Sequence, residues 1–284
     1  MSAKPRLRLA MIGFGEVGHV FAKDLLENGA EIAVYDILFD DPKAGSDRIA
    51  DARRAGVTPA PSAAEACGGA EIVFSCVTAS QALSVAEGAA GFLRPGQVFL
   101  DVNSVSPATK RSAAAAVEKA GADYVEGAVM APVIGPNLKV PILSAGRRAA
   151  EIAERLNAVG MNIRPVAAEI GRASATKLCR SIMIKGLEAL IIDCTRAAAA
   201  FDVTEDVFKS FYDSYPGMDW NELAATMPGR VARHGVRRAA EMREVAEMLR
   251  DLGRDGALAD AIADRHERYA TIEAPRETRR EAAE

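Results

Sequence analysis

Four groups of residues in this 284-residue chain have the types and spacing to do chemistry. The first is Gly13-Phe14-Gly15-Glu16-Val17-Gly18, followed at a distance by Asp36. Such a run suits a diphosphate. Gly13 permits a tight turn, Gly15 lets the backbone approach a pyrophosphate, and Gly18 lets a helix lie close to a sheet. The free N–H groups at the start of that helix attract anionic oxygens. Asp36 can accept hydrogen bonds from both hydroxyls of an adenosine ribose and would repel a 2′-phosphate. NAD is therefore expected as the cofactor, rather than NADP.

The second group follows two apolar runs. Val77-Thr78 closes Glu71-Ile72-Val73-Phe74-Ser75-Cys76, and Asn103-Ser104 follows Gln97-Val98-Phe99-Leu100-Asp101-Val102. In a doubly wound sheet, ligands bind beyond the carboxyl ends of the strands. These residues can thus face cofactor and substrate. Helix capping is the competing reading, although Ser106-Pro107 already supplies a cap and first helical residue.

The third group is Lys177, Ser181 and Lys185, which share one helical face. A lysine in a desolvated cleft can act as a general acid or base. Periodicity alone leaves Lys177 one of 35 basic residues on a solvated helix. Arg230, Arg233, His234, Arg237, Arg238 and Glu241 form a stripe at intervals of three and four. Most of it reads as a solvated or salt-bridged face. Arg233 and His234 are the members offered as binders of a carboxylate or phosphate.

The elements that must position these groups alternate. Leu7 to Ile12 reads as a buried strand, Val17 to Asn28 as a helix, and Ile32 to Tyr35 as a second strand ending at Asp36. A helix over 47–55 and a strand near Val57 follow. Ser62 and Glu65 form a capping box. Tyr124 to Met130 and Val140 to Ser144 read as further strands. The expected fold is α/β: a Rossmann doubly wound, mostly parallel sheet, followed by an all-helical domain. The boundary is placed at Pro165, giving a cofactor domain over 1–165 and a helical substrate and dimerisation domain over 166–284. Within the latter, 173–200 reads as one long helix. Turns are expected at Tyr215-Pro216-Gly217, Met227-Pro228-Gly229 and Gly253 to Gly256, and the charged end, Arg276 to Glu284, should fray.

Composition narrows the function classes. Hydrophobic residues make up 49% and charged ones 26%, with a formal net charge of −4, which gives no support for a nucleic-acid or membrane partner. No apolar run approaches the roughly 20 residues of a membrane span. The four cysteines show no CxxC spacing, and Cys76 and Cys179 read as buried thiols, consistent with a reducing cytoplasm. The three histidines are scattered, so no metal site is expected.

Gly13 to Gly18, Asp101-Val102-Asn103-Ser104, and Gly171 followed six residues later by Lys177 together resemble the β-hydroxyacid dehydrogenase family. The helical half is most similar to the phosphogluconate-dehydrogenase-like C-terminal domain of one branch. The resemblance implies hydride transfer between nicotinamide and a β-hydroxy acid or related hydroxy compound, with Lys177 as acid/base. It implies that Ser104 and Ser181 serve the reaction, and that Asn103, Ser104, Met130 and Ser181 contact a small, anionic substrate. A homodimer is implied, since the helical domain of the family usually pairs. Three departures bear on the substrate. Met130-Ala131-Pro132 replaces the Ser-Gly-Gly whose N–H groups hold a carboxylate in small-acid members, and proline has no N–H. Ser181 replaces an asparagine. Ile184 stands where the decarboxylating members carry glutamate. These changes argue against 3-hydroxyisobutyrate, 6-phosphogluconate and decarboxylation. The alternatives are a C=N (imine) reductase, against which Lys177 argues, and a non-catalytic NAD-binding sensor or scaffold.

Overall fold

The computed structural model describes residues 7–273, so the charged end, Arg276 to Glu284, lies outside the described residues. The chain divides into two compact units, one ending at Lys177 and the other beginning at Leu178.

The first unit is an eight-stranded sheet. Its strands are β1 (Arg8–Ile12), β2 (Glu31–Tyr35), β3 (Thr58–Pro59), β4 (Ile72–Ser75), β5 (Val98–Asp101), β6 (Asp123–Val129), β7 (Pro141–Ala145) and β8 (Asn162–Ala167), in the order β3-β2-β1-β4-β5-β6-β7-β8. Every neighbouring pair is parallel except β6 with β7. The chain winds outward from β1 in both directions, to β2 and β3 on one side and to β4 on the other, and in sheets of this kind ligands bind beyond the carboxyl ends of the strands at such a switch point.

The inner strands β1, β4 and β5 are buried on both faces because helices cover both. Leu9 and Met11 of β1 enter one core with Phe21 and Leu25. Ala10 and Ile12 point the other way, into a core with Phe99, Val117 and Tyr124. The helices are α1 (Glu16–Glu27), α2 (Gly45–Arg54), α3 (Ala63–Cys67), α4 (Ala82–Ala89), α5 (Pro107–Lys119) and α6 (Ala149–Asn157). The expected caps are present: the Ser62 hydroxyl accepts from the Glu65 amide at 3.2 Å, and the Ser106 hydroxyl accepts from that of Thr109 at 3.2 Å.

The second unit is helical. It is built from α7 (Arg172–Ala200), whose first turn and a half belongs to the sheet unit, with α8 (Thr204–Ser214), α9 (Trp220–Asp251) and α10 (Ala257–Glu273). Its main core joins Leu178 and Ala189 to Met242, Val245, Ile262 and Ala263. Trp220 packs with Ile191 and Met227, its ring centroid 4.9 Å from that of Phe211. None of the described helices is long and apolar enough to cross a membrane.

The packing divides after Lys177, where the first turn of α7 is tied to β6. Two expectations are corrected. No turn forms at Met227-Pro228-Gly229; Pro228 lies inside α9. The proline removes one helix hydrogen bond, but Met227 and Val231 on either side are buried against α7 neighbours, and that burial keeps the helix continuous. Cys179 is exposed rather than buried. Helix α7 spreads apolar and charged residues around its whole circumference, so the sequence around Cys179 does not mark which side faces inward.

Candidate active site

Loops leaving β1, β2, β4, β5 and β6 all emerge at the carboxyl ends of parallel strands. Gly13 turns the chain out of β1 at φ +94°, a conformation favouring glycine, and a Cβ there would stand 2.4 Å from the Cys76 carbonyl oxygen. A Cβ on Gly18 would meet the Gly13 carbonyl at 2.8 Å. Asp36 closes this turn from the end of β2. Its Oδ2 accepts from the Phe14 amide at 2.6 Å and its Oδ1 from the Leu38 amide at 2.9 Å. The carboxylate therefore braces the glycine turn. Phe14 is buried and Val17 half-buried, whereas Glu16 is exposed in the first turn of α1.

The loops after β4 and β5 are joined by Asn103. Its Oδ1 accepts from the Val77 amide at 2.8 Å and its Nδ2 donates to the Ser75 hydroxyl at 2.9 Å. Thr78, exposed, shares a 3.2 Å hydrogen bond with Ser80. Ser104, the next residue along from Asn103, is partly exposed and accepts a hydrogen bond from the Lys177 ammonium. The two groups singled out in sequence thus meet within one unit, across 73 residues of chain.

Residues 8–163 match the NAD binding domain of 6-phosphogluconate dehydrogenase, and 198–269 match a domain of unknown function, DUF1932. The first match takes in more than half of the chain. The chain belongs to the β-hydroxyacid dehydrogenase family. It is 28% identical over 184 residues to the mitochondrial 3-hydroxyisobutyrate dehydrogenase of Mus musculus, a stretch covering 62% of this chain and 52% of that one. The chain therefore spans about half the length of that relative. The 3-hydroxyisobutyrate dehydrogenase of Pseudomonas aeruginosa is 26% identical over 268 residues, covering 89% of this chain and 86% of the relative. A conserved hypothetical protein of Sinorhizobium meliloti 1021 has the same fold, with a TM-score of 0.81, 41% identity, and coverage of 94% of this chain and 90% of that one.

The glycine turn of this family member fits a dinucleotide on structural grounds. Helix α1 has no side-chain cap at Gly15, and the first N–H groups of a helix have no partner within it. A Cβ on Gly15 would meet nothing within 4 Å. Protein packing therefore does not demand glycine there, while a ligand lying on the helix start would. Gly13 to Gly18, with Asp36 and the Val77 to Thr78 loop, are the residues that would hold it.

Four residues overlooked in the sequence lie beneath these loops. Asp101 is fully buried: its Oδ1 lies 3.0 Å from the Lys110 ammonium and accepts from the Asn103 amide at 2.9 Å, and its Oδ2 accepts from the Tyr124 hydroxyl at 2.6 Å. Burial, then the Asp101 charge, holds the Tyr124 hydroxyl well above its usual pKa, so it stays a donor. Glu126, also buried, accepts from the Gly171 and Ala173 amides at 2.8 and 2.9 Å and from the Ser174 hydroxyl at 2.8 Å. The only sequence signal for this support is the presence of acids in otherwise apolar strands.

Met130 gives its amide to the Pro141 carbonyl at 2.9 Å, within the sheet. In the helical unit, the buried Ser181 hydroxyl accepts from the Lys185 ammonium at 2.9 Å, which also reaches Glu241 at 2.7 Å. Burial lowers the Lys185 pKa, opposed chiefly by Glu241. The basic stripe divides. Arg238 pairs with buried Glu188, Arg237 pairs with Glu241 at 2.8 Å, and exposed Arg233 bonds the Gly229 carbonyl at 3.1 Å. His234 is half-buried. Among the described residues, no three His, Cys, Asp or Glu side chains are grouped so as to hold a metal ion.

Proposed function

We propose that this protein is an NAD-preferring dehydrogenase acting on a β-hydroxy acid or a related hydroxy compound, with Lys177 as the general acid/base. The observation that carries this reading is the hydrogen bond from Lys177 to Ser104. It sets a titratable nitrogen beside a hydroxyl, on loops at the carboxyl ends of the strands. When bound, the nicotinamide supplies the hydride acceptor for oxidation or the donor for reduction. Oxidation of a carbinol releases its hydroxyl proton, and a base must take it. Lys177, as the amine, accepts that proton; as the ammonium it returns it in the reverse direction. Ser104 fixes the Lys177 nitrogen and offers a second hydrogen bond to the same substrate oxygen. Asn103 spans the β4 and β5 loops and keeps Ser104 in place. Asp36 supports a preference for NAD, since its fixed carboxylate charge opposes a 2′-phosphate.

The protein is also proposed to act as a homodimer. Met183, Leu190 and Phe201 stand 72, 69 and 80% exposed along and just beyond α7, an apolar surface suited to a second copy. The function is tested by following NAD and NADP reduction against a panel of small, sugar-derived, phosphorylated and aromatic hydroxy acids. Turnover with NAD preferred supports the reading. Tight NAD binding without turnover on any member would favour a sensor.

A further inference from the structure

Asp101 and Glu126 are partners in the parallel register of β5 and β6, and both are 0% exposed. Adjacent strands lie about 4.8 Å apart, so two carboxylates sit side by side in the interior. Burying such groups costs several kcal/mol each, and apolar residues of similar size often serve stability as well or better. Packing alone therefore does not account for them.

Each acid is compensated by a different route, and each route ends at the proposed site. Asp101 is neutralised by Lys110, itself 1% exposed, whose ammonium also donates to the Asp101 carbonyl at 2.8 Å. Through Oδ1, Asp101 holds the Asn103 amide, and Ser104 is the next residue. Glu126 is compensated by the amides and dipole at the start of α7. Ala173, held by that carboxylate, lies one helical turn before Lys177 on the same side. The two routes close on each other where Lys177 donates to Ser104.

We propose that Asp101 with Lys110, and Glu126, are positioning residues that together set the Lys177–Ser104 contact. The inference rests on the reading of that contact as the acid/base site. One arm fixes the loop that carries the hydroxyl, and the other fixes the rotation of the helix that carries the amine.

The test reads the chemistry of Lys177 directly in the full-length protein. The rate of Lys177 acetylation by acetic anhydride is measured by peptide mass spectrometry. Ser104→Ala sets the rate for a lysine that has lost this contact, expected on the order of fivefold above wild type from the loss of one hydrogen bond. Glu126→Ala and the paired change Asp101→Asn with Lys110→Met should each approach that rate. Glu126→Gln, which can still accept from both amides, should restore most of the wild-type value. Ile152→Val, a distant core change, controls for general loosening and should leave Lys177 unaltered. Wild-type rates in both the Glu126→Ala and the paired variants would overturn the proposal. So would an equal rise in the Ile152→Val control. The acid/base reading fails separately, if Lys177→Ala retains turnover while these rates behave as expected.

Discussion

Substituting alanine at Gly13 and at Gly15 should give opposite signatures, although the two residues lie in the same turn. At Gly13 the backbone sits at φ +94°, and a Cβ would come within 2.4 Å of the Cys76 carbonyl oxygen and 2.8 Å of its carbon. Holding a non-glycine residue in that region costs about 1–3 kcal/mol. Forcing β1 and β4 backbone apart costs a further ~1–3 kcal/mol, as overpacking does. The total, roughly 2–6 kcal/mol, is a large part of the ~5–15 kcal/mol that holds a typical domain together. Gly15 differs in both respects. Its φ is −80°, and a Cβ there meets nothing within 4 Å. Gly15→Ala should leave the fold unchanged, or stabilise it by up to about 1 kcal/mol through a less flexible unfolded chain. It should nonetheless weaken NAD at least tenfold, about 1.4 kcal/mol, because the methyl occupies space at the start of α1 that the diphosphate needs. Urea unfolding of both variants, paired with calorimetric titration of NAD, separates the two effects. Wild-type NAD affinity in Gly15→Ala would refute the placement of the cofactor. Wild-type stability in Gly13→Ala would refute the argument from close approach.

Other expectations follow from the same geometry. Asp36→Arg removes the acceptor for the Phe14 and Leu38 amides, so NAD affinity should fall and the NADP to NAD ratio should rise by tenfold or more in titrations with both nucleotides, about 1.4 kcal/mol of preference. His266 is fully buried, its Nε2 facing the Lys185 carbonyl at 3.0 Å with Glu188, Arg238 and Lys185 around it, and burial lowers its pKa below 6.5. A histidine with a depressed folded pKa contributes stability that is present above its unfolded value and lost as pH falls below it. The helical unit should therefore lose stability as pH drops below 6.5, and His266→Gln, which keeps a donor, should flatten that slope in urea melts at pH 7.5 and 5.5. Leu190→Glu should convert the proposed dimer into a monomer in sedimentation velocity, without loss of helicity.

Strands β1, β2, β4, β5 and β7 were legible because each carried an apolar run, and their βα junctions carried their own chemistry, from Gly13 to Ser106; β8 was not, because Asn162, Arg164 and Pro165 break its pattern and most of it is not buried. The candidate site was legible at its tips: Gly13, Asp36, Asn103, Ser104 and Lys177 all emerge at strand ends or the start of a helix. Its foundations were not. Asp101 read as part of a motif and Glu126 as one residue of a strand, because nothing local records that β5 and β6 bring them into register. Lys110 is one charge in an alanine-rich helix, and nothing local marks it as buried until α5 is laid on the sheet. The stripe on α9 was visible as a pattern, but periodicity does not say that Arg238 turns inward to Glu188 while Arg233 stays exposed. Pro228 misled for a related reason: a local breaker signal was outweighed by the burial of Met227 and Val231.

If Lys177 carries the proton, Lys177→Ala removes the one nitrogen on which turnover depends. Turnover is measured with NAD and the best hydroxy acid of the panel, beside NAD affinity by calorimetry. The expected result is a fall in kcat of about 10²–10⁴, the usual contribution of a positioned acid/base group, with NAD affinity within about twofold of wild type, or about 0.4 kcal/mol. A variant that keeps wild-type kcat would contradict that role for Lys177.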